Sequence, residues 1–340
     1  MSATDVVPES ARPAEAATTP NPATTSPAKD KPRHAGIDLF RWFAFIAVVC
    51  IHTATMSDVS MSAGRLSRWA VPLFFMVSGY FLGTRIDDLK VVWRSTKRIA
   101  PLFVVWALIY LIVRDSWPET ARQWQDLLIN GGAGLHLWYL PSLLSCIVAV
   151  ALLRRWLSWP AVLAVAGAVF LLGLAFGSYS GLLDLGQRIW NPRNGPVFGL
   201  LFVALGAWMA TAKLPAVKAW QAALAFGLFL LLDVAERLWL ATTGPTYIDF
   251  TVSTLFVGAS AFMLARAWDG RPFARWNLDI LGRYSFGMYA VHMLFLYAIH
   301  KHYHPRGTGD WVWTVLATVV LSTITALLLS RIPVVRRFVQ

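Results

Sequence analysis

The sequence predicts an all-α integral membrane protein of about ten transmembrane helices with both termini in the cytoplasm. Three observations carry this. Of 340 residues, 57% are hydrophobic and only 14% charged, a balance unlike that of soluble domains. The apolar residues gather into runs of bilayer-spanning length, at 39–56, 68–84, 99–113, 136–153, 160–176, 196–211, 216–232, 249–267, 280–299 and 311–330. The positive charges are shared unevenly between the alternating connections.

The elements follow in order. Residues 1–34 are rich in Pro, Ala, Thr and Ser and contain no apolar run, so a disordered cytoplasmic tail is expected there and a single membrane domain over 35–340. Nothing in the tail resembles the apolar region of a secretory signal, which makes the first run an uncleaved anchor. The third run is interrupted by Pro101. Cys50 and Cys146 fall inside predicted helices, where neither a disulfide framework nor a metal site is expected. With the N-terminus inside, 21 of the 30 Lys and Arg lie on the cytoplasmic side, and Arg85, Lys90, Arg94, Lys97 and Arg98 crowd one short connection. The net charge of +12 is thus a topology signal that calls for no nucleic acid. Many of the 17 Trp stand near run ends (Trp69, Trp138, Trp159, Trp311, Trp313), as in interfacial belts.

The first run (LFRWFAFIAVVCIHTATM) holds Arg41 and His52. Eleven residues of helix return to within about 20° of the same face, about 16 Å along the axis. A cation near one surface and an imidazole near the midplane can therefore share one side. Lipid solvates neither, so they mark a functional site; His52 alone also reads as a neutral hydrogen-bonding residue between helices. Asp38 can pair with Arg41 at i,i+3. The ninth run starts near Arg283 and sets Ser285, Tyr289 and His292 on one face, with His292 about 13 Å deep; two histidines at similar depth can converge on one cavity. Pro72, Ser78 and Gly79 interrupt the second run, for close helix packing or as part of the site. His136, Trp138 and Tyr139 open the fourth run at the predicted outer surface, as a sugar-stacking cluster or as interfacial anchors. The external connection 177–195 offers Asp184, Gln187, Arg188, Trp190 and Arg193 to a polar acceptor. Asp233, Glu236 and Asp249, near outer helix ends, either orient an imidazole or form exposed pairs around Arg237. The sequence contains no metal-ligand cluster, Gly-rich phosphate loop or Ser-His-Asp spacing.

Four stretches in order, DLFRWFAFIAVVCIH, VPLFFMVSGYFL, HLWYL and YSFGMYAVH, resemble the membrane-bound acyltransferase-3 family over about residues 36–330. The resemblance implies transfer of an acyl group, usually acetyl, from cytoplasmic acyl-CoA to a glycan or other envelope acceptor at a bacterial inner membrane. Acyl-CoA is a co-substrate, and no resident cofactor is expected. The family's basic residue and histidine, separated by ten positions, fall on Arg41 and His52 as the catalytic pair. Its basic cytoplasmic loop falls on Arg94, Lys97 and Arg98, where some relatives carry Arg-x-Arg and this chain reads Arg94-Ser-Thr-Lys97-Arg98. Ser78, His136, Trp138 and His292 complete the expected substrate-binding set. Many relatives add a periplasmic esterase-like domain; this chain stops at Gln340, so transfer is expected to be completed by the membrane domain or a separate partner. A neutral imidazole, with a pKa of about 6.5, can serve as general base or carry the acyl group covalently. The rival classes are a transporter of a glycan or small polar solute and a non-catalytic assembly subunit.

Overall fold

The computed structural model describes residues 34–185, 192–243, 248–269 and 279–339, the first three of the last stretch by backbone alone. The predicted tail therefore lies outside the described residues except for His34. Among the described residues the chain is helical throughout, with no strand. The helices are α1 (Ala35–His52), α2 (Asp58–Leu66), α3 (Ala70–Leu82), α4 (Leu89–Arg114), α5 (Ala121–Asn130), α6 (Tyr139–Arg154), α7 (Trp159–Phe176), α8 (Pro196–Thr211), α9 (Ala219–Leu240), α10 (Val252–Ala267), α11 (Asp279–His302), α12 (Gly307–Leu329) and α13 (Pro333–Arg336).

Each predicted run lies on one of these helices. Among the described residues, five segments are long and apolar enough to cross a membrane: α1, α4, the Leu135–Arg154 segment containing α6, α7 and α12; α8 and α10 are apolar but shorter. Their outward faces carry what hydrocarbon tolerates. Leu316, Val320, Ile324 and Leu328 make an exposed stripe along α12, while Thr314, Thr318 and Ser322 of the same helix are buried. The outward stripe is what lipid as solvent tolerates; inside, Thr314 donates to the Asp310 carbonyl at 2.7 Å, while the Thr318 and Ser322 hydroxyls are buried without a hydrogen-bond partner among the described residues.

Three local departures matter. α4 begins at Leu89, where the sequence placed a basic loop up to 98, because the Asp88 side chain caps it by accepting from the Lys90 amide at 2.8 Å. Pro101 sits inside this helix without ending it. α2 and α5 were not expected; both begin with capping boxes, Ser57 with Ser60 and Thr120 with Gln123.

α8 is the centre of the main core, packed on α3, α6 and α7. Its approach to α3 is set by glycine on both sides: a Cβ on Gly79 would overlap the Val203 carbonyl oxygen, and one on Gly206 that of Met76. Gly206→Ala is therefore expected to destabilise by about 1–3 kcal/mol. Gly227→Ala, with nothing within 4 Å of the new carbon, should be neutral or slightly stabilising. Thermal unfolding in one detergent compares them, and equal midpoints would refute this packing.

The start of α1 is tied to the end of α10. His34 Nδ1 lies 2.8 Å from Asp269 Oδ2, and the Gly36 amide donates to Asp269 Oδ1 at 3.0 Å. The hydrogen bond to Asp269 raises the His34 pKa above its ordinary 6.5, more than partial burial lowers it. A raised folded-state pKa adds stability that is complete below the unfolded value and is lost as pH rises through the folded value. Stability should thus fall as pH climbs above about 6.5, and Asp269→Asn should flatten that dependence in unfolding measured from pH 5 to 9.

Candidate functional site

Helical periodicity sends one face of several helices into a shared cavity of about 700 Å³. α1 contributes Arg41, Val48 and His52; α3 contributes Phe74 and Ser78; α4 contributes Ser95, Arg98 and Leu102; and α11 contributes Ser285 and Tyr289. These spacings of three, four and seven residues are those of single helix faces. Arg41 and His52 therefore line one cavity, about 16 Å apart along α1.

The end of the cavity near the start of α1 is basic, with Arg41, Arg98, Arg283 and Arg336 in its wall. Arg41 Nη1 lies 3.4 Å from Asp38 Oδ1, as the i,i+3 spacing predicts. Asp38 itself sits against α11 at Gly282, where any Cβ would overlap its carboxylate. Arg336 reaches the wall from α13, and the segment beyond is held by Trp106, whose indole N–H donates to the Phe338 carbonyl at 3.0 Å. Arg94 and Lys97 are exposed and do not line the cavity. Lys97 stacks over Trp93 at 4.9 Å.

At the other end the wall is made by His52, His136, Trp138, Arg68, Arg193 and Asp249. Three imidazoles pack together, with ring centroids 5.3 Å apart for His52 and His292, 4.9 Å for His136 and His292, and 6.4 Å for His52 and His136. His292 does not line the cavity but backs the two that do. Its Nδ1 lies 2.5 Å from the Tyr289 carbonyl, so Nδ1 carries the proton there. Its Nε2 and both ring nitrogens of His136 are buried without a well-formed hydrogen bond. Among the described residues the His52 ring makes no hydrogen bond, and no group of His, Cys, Asp or Glu is placed to hold a metal.

The cluster expected at the outer surface is instead interior: His136 is 1% and Trp138 9% exposed. A 3-10 turn over Leu135–Trp138 winds this segment inward. There Tyr289 donates to the His136 carbonyl, Tyr297 donates to that of Ala133 at 3.1 Å, and the ring of Tyr110 packs on His136 at 5.0 Å. Ser78 lines the cavity, donates to the Phe74 carbonyl at 2.8 Å, and stands 3.4 Å from the Tyr139 hydroxyl.

The carboxylates of the next region are also not exposed pairs. Asp233 and Arg237 are buried, with Arg237 Nε 2.7 Å from Asp233 Oδ2. Thr251 and Thr254 donate to Asp233 Oδ1 at 2.6 and 2.7 Å. Arg237 also donates to the carbonyls of Ile248 and Asp249, at 2.8 and 3.3 Å, and so fixes the segment that presents Asp249. Glu236 accepts from the Val252 and Ser253 amides at the start of α10. Asp249 turns into the cavity, where its Oδ1 lies 3.5 Å from Arg193 and 3.9 Å from Arg68. Asp184 is described but does not line the cavity; Gln187, Arg188 and Trp190 lie outside the described residues. Sequence reasoning did not single out Arg68 or Arg336, and it offered Asp249 as a group to orient an imidazole or pair around Arg237 rather than as the partner of Arg68 and Arg193. The one available signal was that Arg68 begins an apolar run on the side where the charge bias leaves arginine scarce.

Among the described residues the chain is all-helical with lipid-compatible outer faces, which makes it a membrane protein, and between its helices lies a cavity whose largely apolar wall carries several charged groups. The acyltransferase-3 model, described as an acyltransferase domain, matches residues 34–331, and the chain belongs to this family. Curated relatives share more distant similarity. An amino-acid racemase of Enterococcus faecalis is 29% identical over 55% of this chain and 31% of its own length. A serine/alanine racemase of Enterococcus gallinarum is 28% identical over 51% of this chain and 29% of its own. The chain thus matches about a third of the length of these relatives. No solved structure matches it.

Proposed function

We propose that the protein is an integral membrane O-acyltransferase that moves acetyl from acetyl-CoA to a hydroxyl of a cell-envelope polysaccharide or its lipid-linked precursor. In this reading α1, α3, α4 and α6 to α12 all cross a bacterial inner membrane, with both termini cytoplasmic. The supporting observation is the single cavity that runs along α1 from Arg41 to His52 in a chain of the acyltransferase-3 family. Guanidinium groups at the Arg41 end suit the phosphates of CoA through charge-assisted contacts. A pantetheine arm threaded from there brings the thioester towards His52.

The acceptor hydroxyl gives its proton to the imidazole as its oxygen attacks the thioester carbonyl. The carbon–sulfur bond then breaks, and the imidazolium returns the proton to the departing thiolate. Positioned base catalysis of this kind contributes about 10²–10⁴-fold. Ser78, His136 and Trp138 line the wall along which the acceptor would lie, and His292 holds the two cavity histidines in place. Arg94 and Lys97 reach donor phosphates only from outside the cavity, so Arg98, Arg283 and Arg336 take the larger share. Purified protein should transfer label from acetyl-CoA to extracted envelope glycans, and absence of transfer together with absence of acetyl-CoA binding would overturn this function.

A second reading is a transporter of a small polar solute. It is supported by the cavity between the helices, which a solute could occupy; the curated relatives are named as racemases, which speaks to neither reading. Acetyl-CoA binding separates the two, since a transporter has no use for the donor.

A further inference from the structure

Around His52 the cavity wall carries charge that acyl transfer itself does not require. Arg68 comes from the turn between α2 and α3, Arg193 from the segment before α8, and Asp249 from the segment before α10. Both arginines share one oxygen of Asp249, at 3.9 and 3.5 Å, and Arg193 also lies over the Trp138 ring at 5.4 Å. The second carboxylate oxygen of Asp249 is buried without a hydrogen-bond partner. Asp233 and Arg237 next to them neutralise each other, and Glu236 is engaged by the amides of α10. None of these three lines the cavity. Among the described residues, the wall beside His52 therefore presents two guanidinium groups and one carboxylate, an excess of one positive charge in a water-poor setting where it is strongly felt.

A net single charge calls for a single negative charge. Guanidinium groups bind planar carboxylates in paired contacts, and the unpartnered oxygen of Asp249 is placed to accept from a hydroxyl beside that carboxylate. A doubly charged group would meet repulsion from Asp249. Trp138, over which Arg193 lies, backs that guanidinium from the wall.

We propose that Arg68, Arg193 and Asp249 form an acceptor subsite for a hydroxylated carboxylate, such as a uronic acid residue, and that this subsite sets which acceptor reaches His52. The proposal rests on the acyltransferase reading for its role but not for the binding it predicts, so the test is one of binding. The full chain in detergent micelles is titrated calorimetrically with D-galactose, D-galacturonate and galactose 6-phosphate, which differ only at carbon 6. Galacturonate is expected to bind at least about tenfold more tightly than either other sugar. Arg193→Gln and Arg68→Gln should reduce that preference to about twofold or less, and His52→Ala should keep it.

Arg193→Lys guards against misfolding: it retains the charge but not the paired geometry, and should keep a smaller preference. Equal binding of galactose and galacturonate, no binding of either, tighter binding of galactose 6-phosphate, or a preference that survives both glutamine variants would each overturn the subsite. Carboxylate-selective binding with neither acyl transfer nor acetyl-CoA binding would leave the subsite standing and remove the acyltransferase reading instead.

Discussion

His52→Ala is expected to lower acyl transfer by about 10²–10⁴-fold while leaving acetyl-CoA binding and the fold intact. Two features make the effect separable. The ring makes no hydrogen bond among the described residues, and it lies beside the rings of His292 and His136, at 5.3 and 6.4 Å. Truncation therefore breaks no structural bond, and the donor groups lie about 16 Å away along α1. Transfer rates and acetyl-CoA titrations on the same preparation check this. His52→Gln fills the same space without accepting a proton and should be as inactive as the alanine variant; activity in it would mean that the ring acts only by packing.

The second large effect is expected from Asp233→Ala. The carboxylate is fully buried and accepts from Arg237, Thr251 and Thr254. Its loss leaves a buried, unpaired guanidinium, which costs about 3–5 kcal/mol. Removing both partners with apolar residues, as in Asp233→Leu with Arg237→Met, should recover much of that stability. It should not recover function, because Arg237 holds the Ile248 and Asp249 carbonyls and with them the position of Asp249. Unfolding midpoints of the two variants decide the matter. A loss below about 1 kcal/mol for Asp233→Ala would contradict the buried pair.

Much of the fold was legible because hydrophobic runs are a local signal. Every apolar run became a helix, and the spacing of Arg41, Asp38 and His52 on α1, or of Ser285, Tyr289 and His292 on α11, follows from helical period alone. The starts of helices were less legible: α4 extends back to Leu89 through a capping Asp88, so the supposed basic loop is helix and only Arg98 of its three candidate residues faces the cavity. What the sequence could not place was which polar residues meet across the chain. His136 was expected outside because it opens an apolar run, but contacts from α4 and α11 bury it. Asp233 and Arg237 stand at a visible i,i+4 spacing, yet nothing local says that the pair is buried or that it positions Asp249. Arg68 and Asp249 are far apart in sequence and meet only through the packing of α3, α9 and α10.

The most direct measurement follows label from acetyl-CoA into extracted envelope glycans, with purified wild-type protein and His52→Ala side by side in the same lipid. Label reaching the glycan with wild type alone, while both proteins bind acetyl-CoA equally, is the result expected if the Arg41–His52 cavity is where acyl transfer occurs. Equal labelling of the glycan by both proteins would contradict it.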